Sequence, residues 1–503
     1  RSGRSEAIHG TGSTSAINMS TTKPPLPMHG DGGSQLEIFT IVLIPAVGIL
    51  LRNLFLPWIT HGKRFPTGGK LYWYKFLVDF IFIVAPTLGV QTVLADSVRI
   101  VHLIMFSVIA LLLVFMLVEQ SMVCKDGATA RAILNKIIEE HHAPTTFLTY
   151  FRSAIFILVA IAVLGVDFAI FPRRFAKTET VGHSLMDVGV AAFIAANGLV
   201  PPLKTSARRE ESERRRANRR FSSLYSSTLF LVGLGIVRTA VLSVLGYPYQ
   251  VSEYGVHWNF FYTLAVVNLV TYLLPSQFTL ITATLFAAVH QFALSNGIQE
   301  WVLDESAPRD SFVDANREGI FSLAGYIAIY YYSRAMGRFI AKTALAGLRV
   351  RSWAAAVLHM LLLCAIFAAA QLASEAALGP PSRRLVNLPY ILAMISMECY
   401  LLAGCIGVQT ISYIIWAARV PHFGSEENPF ATSEPCLMTA LNRYPLLFFL
   451  VSNLTTGVVN VSIRAAGLQS WLLGPPAALC LLVAHMLAST ALPVYLCAAK
   501  KKQ

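Results

Sequence analysis

Apolar runs of roughly twenty residues recur along almost the whole chain, separated by short polar or basic segments. The runs are continuous rather than alternating, which predicts membrane-crossing helices and excludes the strands of a β-barrel. About thirteen runs can be counted, with cores at 37–57, 76–95, 98–118, 152–171, 185–203, 222–245, 258–274, 277–295, 319–337, 352–373, 388–416, 443–465 and 471–497. The pattern predicts an all-α, polytopic transmembrane helical bundle. Residues 1–36, rich in Gly, Ser, Thr and Pro, read as a flexible tail ahead of one multi-span domain at 37–497 and a basic tail at 498–503. No internal repeat stands out, although transporter folds often carry one.

Composition agrees with this reading. The 503 residues are 55% hydrophobic and 13% charged, with a mean hydropathy of +0.58, whereas a soluble domain carries about 25% charged residues. A net charge of +13 would suggest nucleic acid in a soluble protein. Here the cations sit in alternate loops, so nucleic-acid binding is excluded and the charge becomes a topology signal. The segment KTSARREESERRRANRR carries eight cations against three acids, while GYPYQVSEYGVH on the opposite side has no Lys or Arg. With an odd number of spans, the basic set in the cytosol places the N-terminus in the lumen and the C-terminus in the cytosol.

The closing KKKQ fits a dilysine endoplasmic-reticulum retrieval signal on a cytosolic tail, and equally an ordinary basic anchor. The sequon at Asn18 would face the lumen, whereas those at Asn453 and Asn460 fall within a span and are expected to be silent. The seven cysteines form no CxxC pair and no metal-ligand spacing, and read as small buried side chains.

Two cation clusters break the topology rule by falling on the luminal side: Arg173, Arg174 and Lys177, and Arg383 with Arg384. Arginine suits phosphate because its planar fork bonds two oxygens at once, so an anionic ligand at the membrane face is one explanation and a lipid headgroup anchor is the other. Asp167 lies close to the first cluster, near the end of an apolar run. A carboxylate at a span's centre costs roughly 2.5–3.5 kcal/mol on insertion scales, so it must face the bundle, pair with a cation or stay neutral. In a straight helix Asp167 and Lys177 would be about 15 Å apart along the axis. Pro172 disfavours helix at Phe171, and the chain is expected to end its span there and turn back, bringing Lys177 toward the carboxylate. Such a pair either moves a proton or closes the helix end as a structural ion pair.

Other polar groups sit at span edges. His257, Trp258 and Asn259 stand where one helix begins, Asn316, Arg317 and Glu318 at a second start, and Asn442 and Arg443 at a third. Each set is a candidate substrate contact, against the plainer readings of interfacial aromatic, local ion pair and satisfied polar group. Asp79, and His183 with Asp187, are further candidates. A GxSxG elbow, a phosphate-binding Walker loop and HExxH are absent, and HSLMD is one residue short of HxxxxD, so a soluble-type hydrolase, ATPase or zincin is not expected.

The segments FPRRFAKTE and GHSLMDVGV, followed in order by EYGVHWNFF, ANREGIFSLAGY, RRLVNLPY and CLMTALNR…LFFLVSNLTTGVVN, resemble blocks of the membrane-bound GPI inositol acyltransferases, the PIG-W family. The resemblance covers most of the chain from the second span onward. It departs from the family pattern at Ala191, where the family tends to glycine, and is faint in the N-terminal block. It implies transfer of a fatty acyl group, typically palmitoyl, from acyl-CoA to the inositol 2-hydroxyl of glucosaminyl-phosphatidylinositol in the endoplasmic-reticulum membrane, with acyl-CoA as co-substrate and no tightly bound cofactor. By this resemblance Asp167 would act as base or orient the hydroxyl, and Lys177 would stabilise the oxyanion or protonate the leaving thiolate. Arg173 and Arg174 would hold phosphate. A deep intramembrane cavity, with a groove for the acyl chain and lateral entry for the lipid acceptor, is expected. Lys204 and Arg208 would meet the CoA head. A transporter, or a different membrane acyltransferase using His257 or His183, are the competing readings.

Overall fold

The computed structural model describes residues 30, 32–60, 69–123, 145–207, 213–245, 251–274, 277–345, 350–419 and 436–500. Asn18, Arg208 and the last three residues lie outside them, as does the side chain of Lys204.

The described residues are helical, with no strand among them; the one β-type contact is an isolated bridge between Gly30 and Thr178. Among the described residues, eight helices are long and apolar enough to cross a membrane: Gln35–Leu56, Trp73–Gln91, Ala95–Met116, Thr146–Gly165, Val350–Leu378, Leu388–Ile415, Pro445–Ala465 and Pro475–Ala499. Three shorter apolar helical stretches, Val188–Leu203, Ser227–Val241 and Phe260–Leu273, add to them.

The helices that build the site are α1 (Gln35–Thr60), α5 (Thr146–Gly165), α6 (Val188–Ala207), α7 (Glu213–Leu245), α8 (Val251–Tyr254), α9 (Phe260–Leu273), α14 (Leu323–Ile340), α16 (Leu388–Arg419) and α18 (Pro445–Ala465). α5 is at the centre and packs on α1, α6, α16 and α18. α6 also lies along α14, α14 against α16, and α7 against α9. The apolar window of α16 is 83% buried, whereas that of α18 is 17% buried. Apolar residues on α18 such as Leu454 and Val458 therefore stay exposed, as expected of a helix facing lipid rather than protein. Close approach of α6 and α14 requires Gly198, because a Cβ there would sit 2.4 Å from the Tyr330 carbonyl oxygen.

α5 ends at Gly165, earlier than the Phe171 expected from Pro172. The chain then makes tight turns: Phe168 N–H donates to the Gly165 carbonyl (2.9 Å) and Phe171 N–H to Phe168 (3.2 Å). Phe168, Phe171 and Phe175 are fully buried and anchor the turns by apolar burial. The Phe171 ring lies over Gly165, where a Cβ would approach it to 2.9 Å. Pro172 then caps a short 3-10 turn, Arg173–Phe175, and the chain is extended at Ala176.

Candidate functional site

The turn at Pro172 places Asp167 and Lys177 on the wall of one cavity of about 880 Å³. Three ties hold the loop that follows. Thr178 donates both its N–H (3.2 Å) and its hydroxyl (2.7 Å) to Asp187 Oδ2. Ser382 Oγ donates to the Thr180 carbonyl (2.5 Å). Gly30 N–H donates to the Lys177 carbonyl (3.0 Å), so this end of the expected tail is bonded to the site loop. Asp187 is buried and lies 2.9 Å from Arg383 Nε, and the Tyr390 hydroxyl donates to its carbonyl (2.6 Å). Asp187 and Arg383 are thus a buried ion pair that fixes the loop bearing Lys177.

Lys177 Nζ donates to Glu253 Oε1 at 2.5 Å, and Glu253 also lines the cavity. The carboxylate that anchors the lysine is therefore contributed by α8, 76 residues on, rather than by Asp167. Asp167 sits beyond the end of the α5 span and accepts a hydrogen bond from Asn460 Nδ2 on α18 (2.8 Å). Burial raises its pKa above the usual carboxylate range, opposed by the Asn460 hydrogen bond and by the nearby charge of Arg173.

The rest of the cavity wall is largely apolar. Phe151 to Val163 of α5 line it over about 18 Å along the helix axis, and α18 lines it from Phe449 to Ser462. A chain spanning one leaflet needs about 15 Å. On one side the wall is buried, with Val42, Ile329 and Met397 almost inaccessible; on the other, Val237 and Val241 of α7 and Leu454 and Val458 of α18 are exposed. The exposed edge of the cavity is therefore formed by α7 and α18.

The two arginines next to Lys177 have protein partners. Arg173 Nη2 donates to the carbonyls of Val166 (2.9 Å), Phe168 (2.9 Å) and Phe171 (3.0 Å), stapling the turn that carries Asp167. Arg174 pairs with Glu37 (3.0 Å) and Asp96 (2.6 Å) and stacks on Phe175. Arg173 and Arg174, both expected to hold phosphate, thus meet carbonyls and carboxylates of the chain.

The other expected contacts lie off the cavity wall. Asn316 is buried, and its Oδ1 accepts from the N–H groups of His257 (2.8 Å) and Trp258 (2.9 Å). The His257 side chain is exposed, and Trp258 Nε1 donates to Thr263. Gly255 makes this docking possible: its φ is +108°, and a Cβ would sit 2.4 Å from the Asn316 Cα. Asn259 caps α9 through Phe261 and Tyr262 and bonds the Gly235 carbonyl and the Thr239 hydroxyl of α7. Arg317 is buried and donates to the Asp304 carbonyl. Arg384 approaches Glu318, which accepts from Arg309 at 2.6 Å. Asn442 accepts from Arg152 (2.6 Å) and donates to Thr149, while Arg443 is exposed. His183 meets Glu375 at 3.3 Å, and Asp79 pairs with Arg52 at 2.6 Å. These side chains order loops and helix ends around the site.

Among the polar residues on the wall, sequence reasoning did not single out Glu253, Asn460, Arg238 or Glu398 as site groups. Asn460 was legible only as a sequon, and Glu253 only as an acid in a loop. Arg238 and Glu398 are lone charges inside apolar runs, which is itself the signal that could have found them. Among the described residues no three His, Cys, Asp or Glu side chains group as a metal site.

The fold and site define a polytopic helical membrane protein whose long apolar cavity carries a carboxylate and an ammonium group on one wall. Comparison with known proteins places it more closely. The GWT1 family model matches residues 26–496, and the chain belongs to that family. It is 32% identical over 463 residues to the mouse glucosaminyl-phosphatidylinositol-acyltransferase PIGW, covering 86% of this chain and 89% of that one. It is 33% identical over 461 residues to GPI-anchored wall transfer protein 1 of Gibberella zeae, with 86% and 89% covered. The human glucosaminyl-phosphatidylinositol-acyltransferase PIGW is 31% identical over 467 residues, with 86% and 90% covered.

Proposed function

We propose that this protein is an acyl-CoA-dependent O-acyltransferase of the endoplasmic-reticulum membrane, moving a fatty acyl group, palmitoyl in the first instance, to the inositol 2-hydroxyl of glucosaminyl-phosphatidylinositol in GPI-anchor biosynthesis. The observation that carries the mechanism is the presence of Asp167 and Lys177 on the wall of one apolar cavity. The acyl chain lies along the wall of α5, α6 and α18, with its thioester at the Asp167 end. The lipid acceptor enters sideways between α7 and α18, where exposed apolar residues face the bilayer.

Asp167, as a carboxylate, accepts the proton of the inositol hydroxyl while that oxygen bonds to the thioester carbon. Lys177, held by Glu253, donates a hydrogen bond to the carbonyl oxygen as it gains negative charge. The carbon–sulfur bond then breaks, the carbonyl re-forms, and the leaving thiolate takes the proton that Asp167 accepted, giving the CoA thiol and restoring the Asp167 carboxylate. The ester forms in one displacement without a covalent acyl-enzyme. Loop charge supports an orientation that puts the reacting end toward the lumen.

The test is product analysis. Purified protein given labelled palmitoyl-CoA and glucosaminyl-phosphatidylinositol is expected to consume the thioester and yield a lipid acylated on inositol O2. Transport of either lipid without loss of acyl-CoA would overturn the reading.

A further inference from the structure

A lipid acceptor of this kind carries a phosphodiester on the ring carbon next to the reacting hydroxyl, so its anion must rest within a few ångströms of the reaction centre. The arginines beside Lys177 are not available for it: Arg173 is bonded to three turn carbonyls and Arg174 to Glu37 and Asp96. Arg383 is buried against Asp187, and Arg384 lies at Glu318.

Arg238 differs from all of these. It stands in the apolar stretch Ser227–Val241 of α7, its side chain is exposed, and it lines the cavity. No carboxylate pairs with it among the described residues. An intramembrane cation without a partner is costly and marks a ligand pathway. Its neighbours place it near the reaction end. Asn259, at the start of α9, bonds Gly235 and Thr239 on either side of Arg238 in sequence. Arg238 shares the cavity wall with Tyr254 and with Glu253, the carboxylate that holds Lys177. It also belongs to the exposed α7 edge of the cavity, with Val237 and Val241, where a lipid would enter.

We propose that Arg238 is the phosphate-recognition residue of the cavity, binding the phosphodiester of the lipid acceptor and so setting the inositol ring against Asp167. A guanidinium suits this role because it bonds two phosphate oxygens at once and remains charged within the membrane. The inference rests on the acyltransferase reading for the identity of the acceptor. The same phosphate-ester chemistry occurs in the CoA donor, and the experiment separates the two.

The test compares wild type, Arg238→Gln and Arg238→Lys as full-length protein in nanodiscs. In steady-state transfer, Arg238→Gln is expected to raise KM for glucosaminyl-phosphatidylinositol roughly ten- to a hundred-fold, with KM for palmitoyl-CoA unchanged. Arg238→Lys should recover part of the loss. A rise in the palmitoyl-CoA KM alone would assign the site to the donor and overturn the acceptor assignment. No change in either KM would leave Arg238 as a bilayer anchor and overturn the proposal outright. A parallel binding measurement does not depend on turnover: retention of phosphatidylinositol over phosphatidylcholine by the purified protein, read by native mass spectrometry. Wild type should retain phosphatidylinositol and Arg238→Gln should lose that preference. If wild type retains it but transfers no acyl group, the catalytic reading fails while the phosphate site stands. Equal retention by both proteins removes the site.

Discussion

Lys177 Nζ lies 2.5 Å from Glu253 Oε1, and both side chains share the cavity wall with Asp167. The pair joins the loop after α5 to α8 and orients an ammonium group at the reaction end. Both members are partly exposed, so its value lies in placement rather than in stability. Glu253→Gln removes the charge and keeps the shape. It is expected to lower kcat roughly ten- to a hundred-fold while KM for acyl-CoA stays near wild type. Steady-state kinetics with saturating acceptor would check this; an unchanged kcat would make the pair a surface tie.

Asp167 and Asn460 supply a prediction with a sign. Burial raises the Asp167 pKa, and the Asn460 hydrogen bond opposes that rise by favouring the carboxylate. A base works only when deprotonated, so activity is present above its pKa and lost as pH falls through it. In Asn460→Ala the opposing bond is gone and the pKa rises further. The acidic limb of the kcat/KM profile is expected to move to higher pH than in wild type. A limb that stays in place, or moves down, would show that Asp167 is not the titrating base.

Arg173 gives a structural prediction. Its Nη2 bonds three carbonyls of the turn that follows α5. Arg173→Ala should lower stability by roughly 2–4 kcal/mol, since hydrogen bonds to a charged donor are lost and carbonyls are left without it. Arg173→Lys should recover only part, because lysine is shorter and lacks the Nε–H that also donates to the Phe171 carbonyl (3.3 Å). Thermal unfolding of purified protein reads both, and full recovery by lysine would contradict the staple.

The reach of sequence reasoning is visible in these residues. Continuous apolar runs carried the helical membrane class, because the bilayer imposes the same length on each span. Asp167, Pro172 and Lys177 were legible because a charge at a span end needs a partner and a proline forces the chain to turn. The partner of the lysine was not, because Glu253 is 76 positions away and only the fold brings α8 beside that loop. Arg173 and Arg174 suggested phosphate because backbone carbonyls, the groups that Arg173 binds, look the same at every position in a sequence. Asn460 read as a sequon, yet at its place on α18 it faces Asp167. Arg238 was hidden by its surroundings, a single cation diluted in an apolar helix.

The small residues of α6 predict chain selectivity. Gly189, Ala191, Ala192 and Ala195 line the cavity and keep it wide beside α5. Ala192→Phe inserts a ring into that space and should shift the preferred donor toward shorter acyl chains, with palmitoyl transfer falling more than decanoyl transfer. Competition between acyl-CoAs of graded length would show it. An unaltered chain-length profile would place the acyl chain elsewhere.

The central claim is that Asp167 and Lys177 are chemical groups rather than a helix-end tie. Its most direct test is single-turnover acyl transfer by wild type, Asp167→Asn and Lys177→Ala, at matched folding and with binding of both substrates measured separately. The account expects both variants to bind palmitoyl-CoA and glucosaminyl-phosphatidylinositol and to lose roughly a hundred- to ten-thousand-fold in the rate of ester formation. Variants that bind and turn over at the wild-type rate would contradict it and move the chemistry to another part of the cavity.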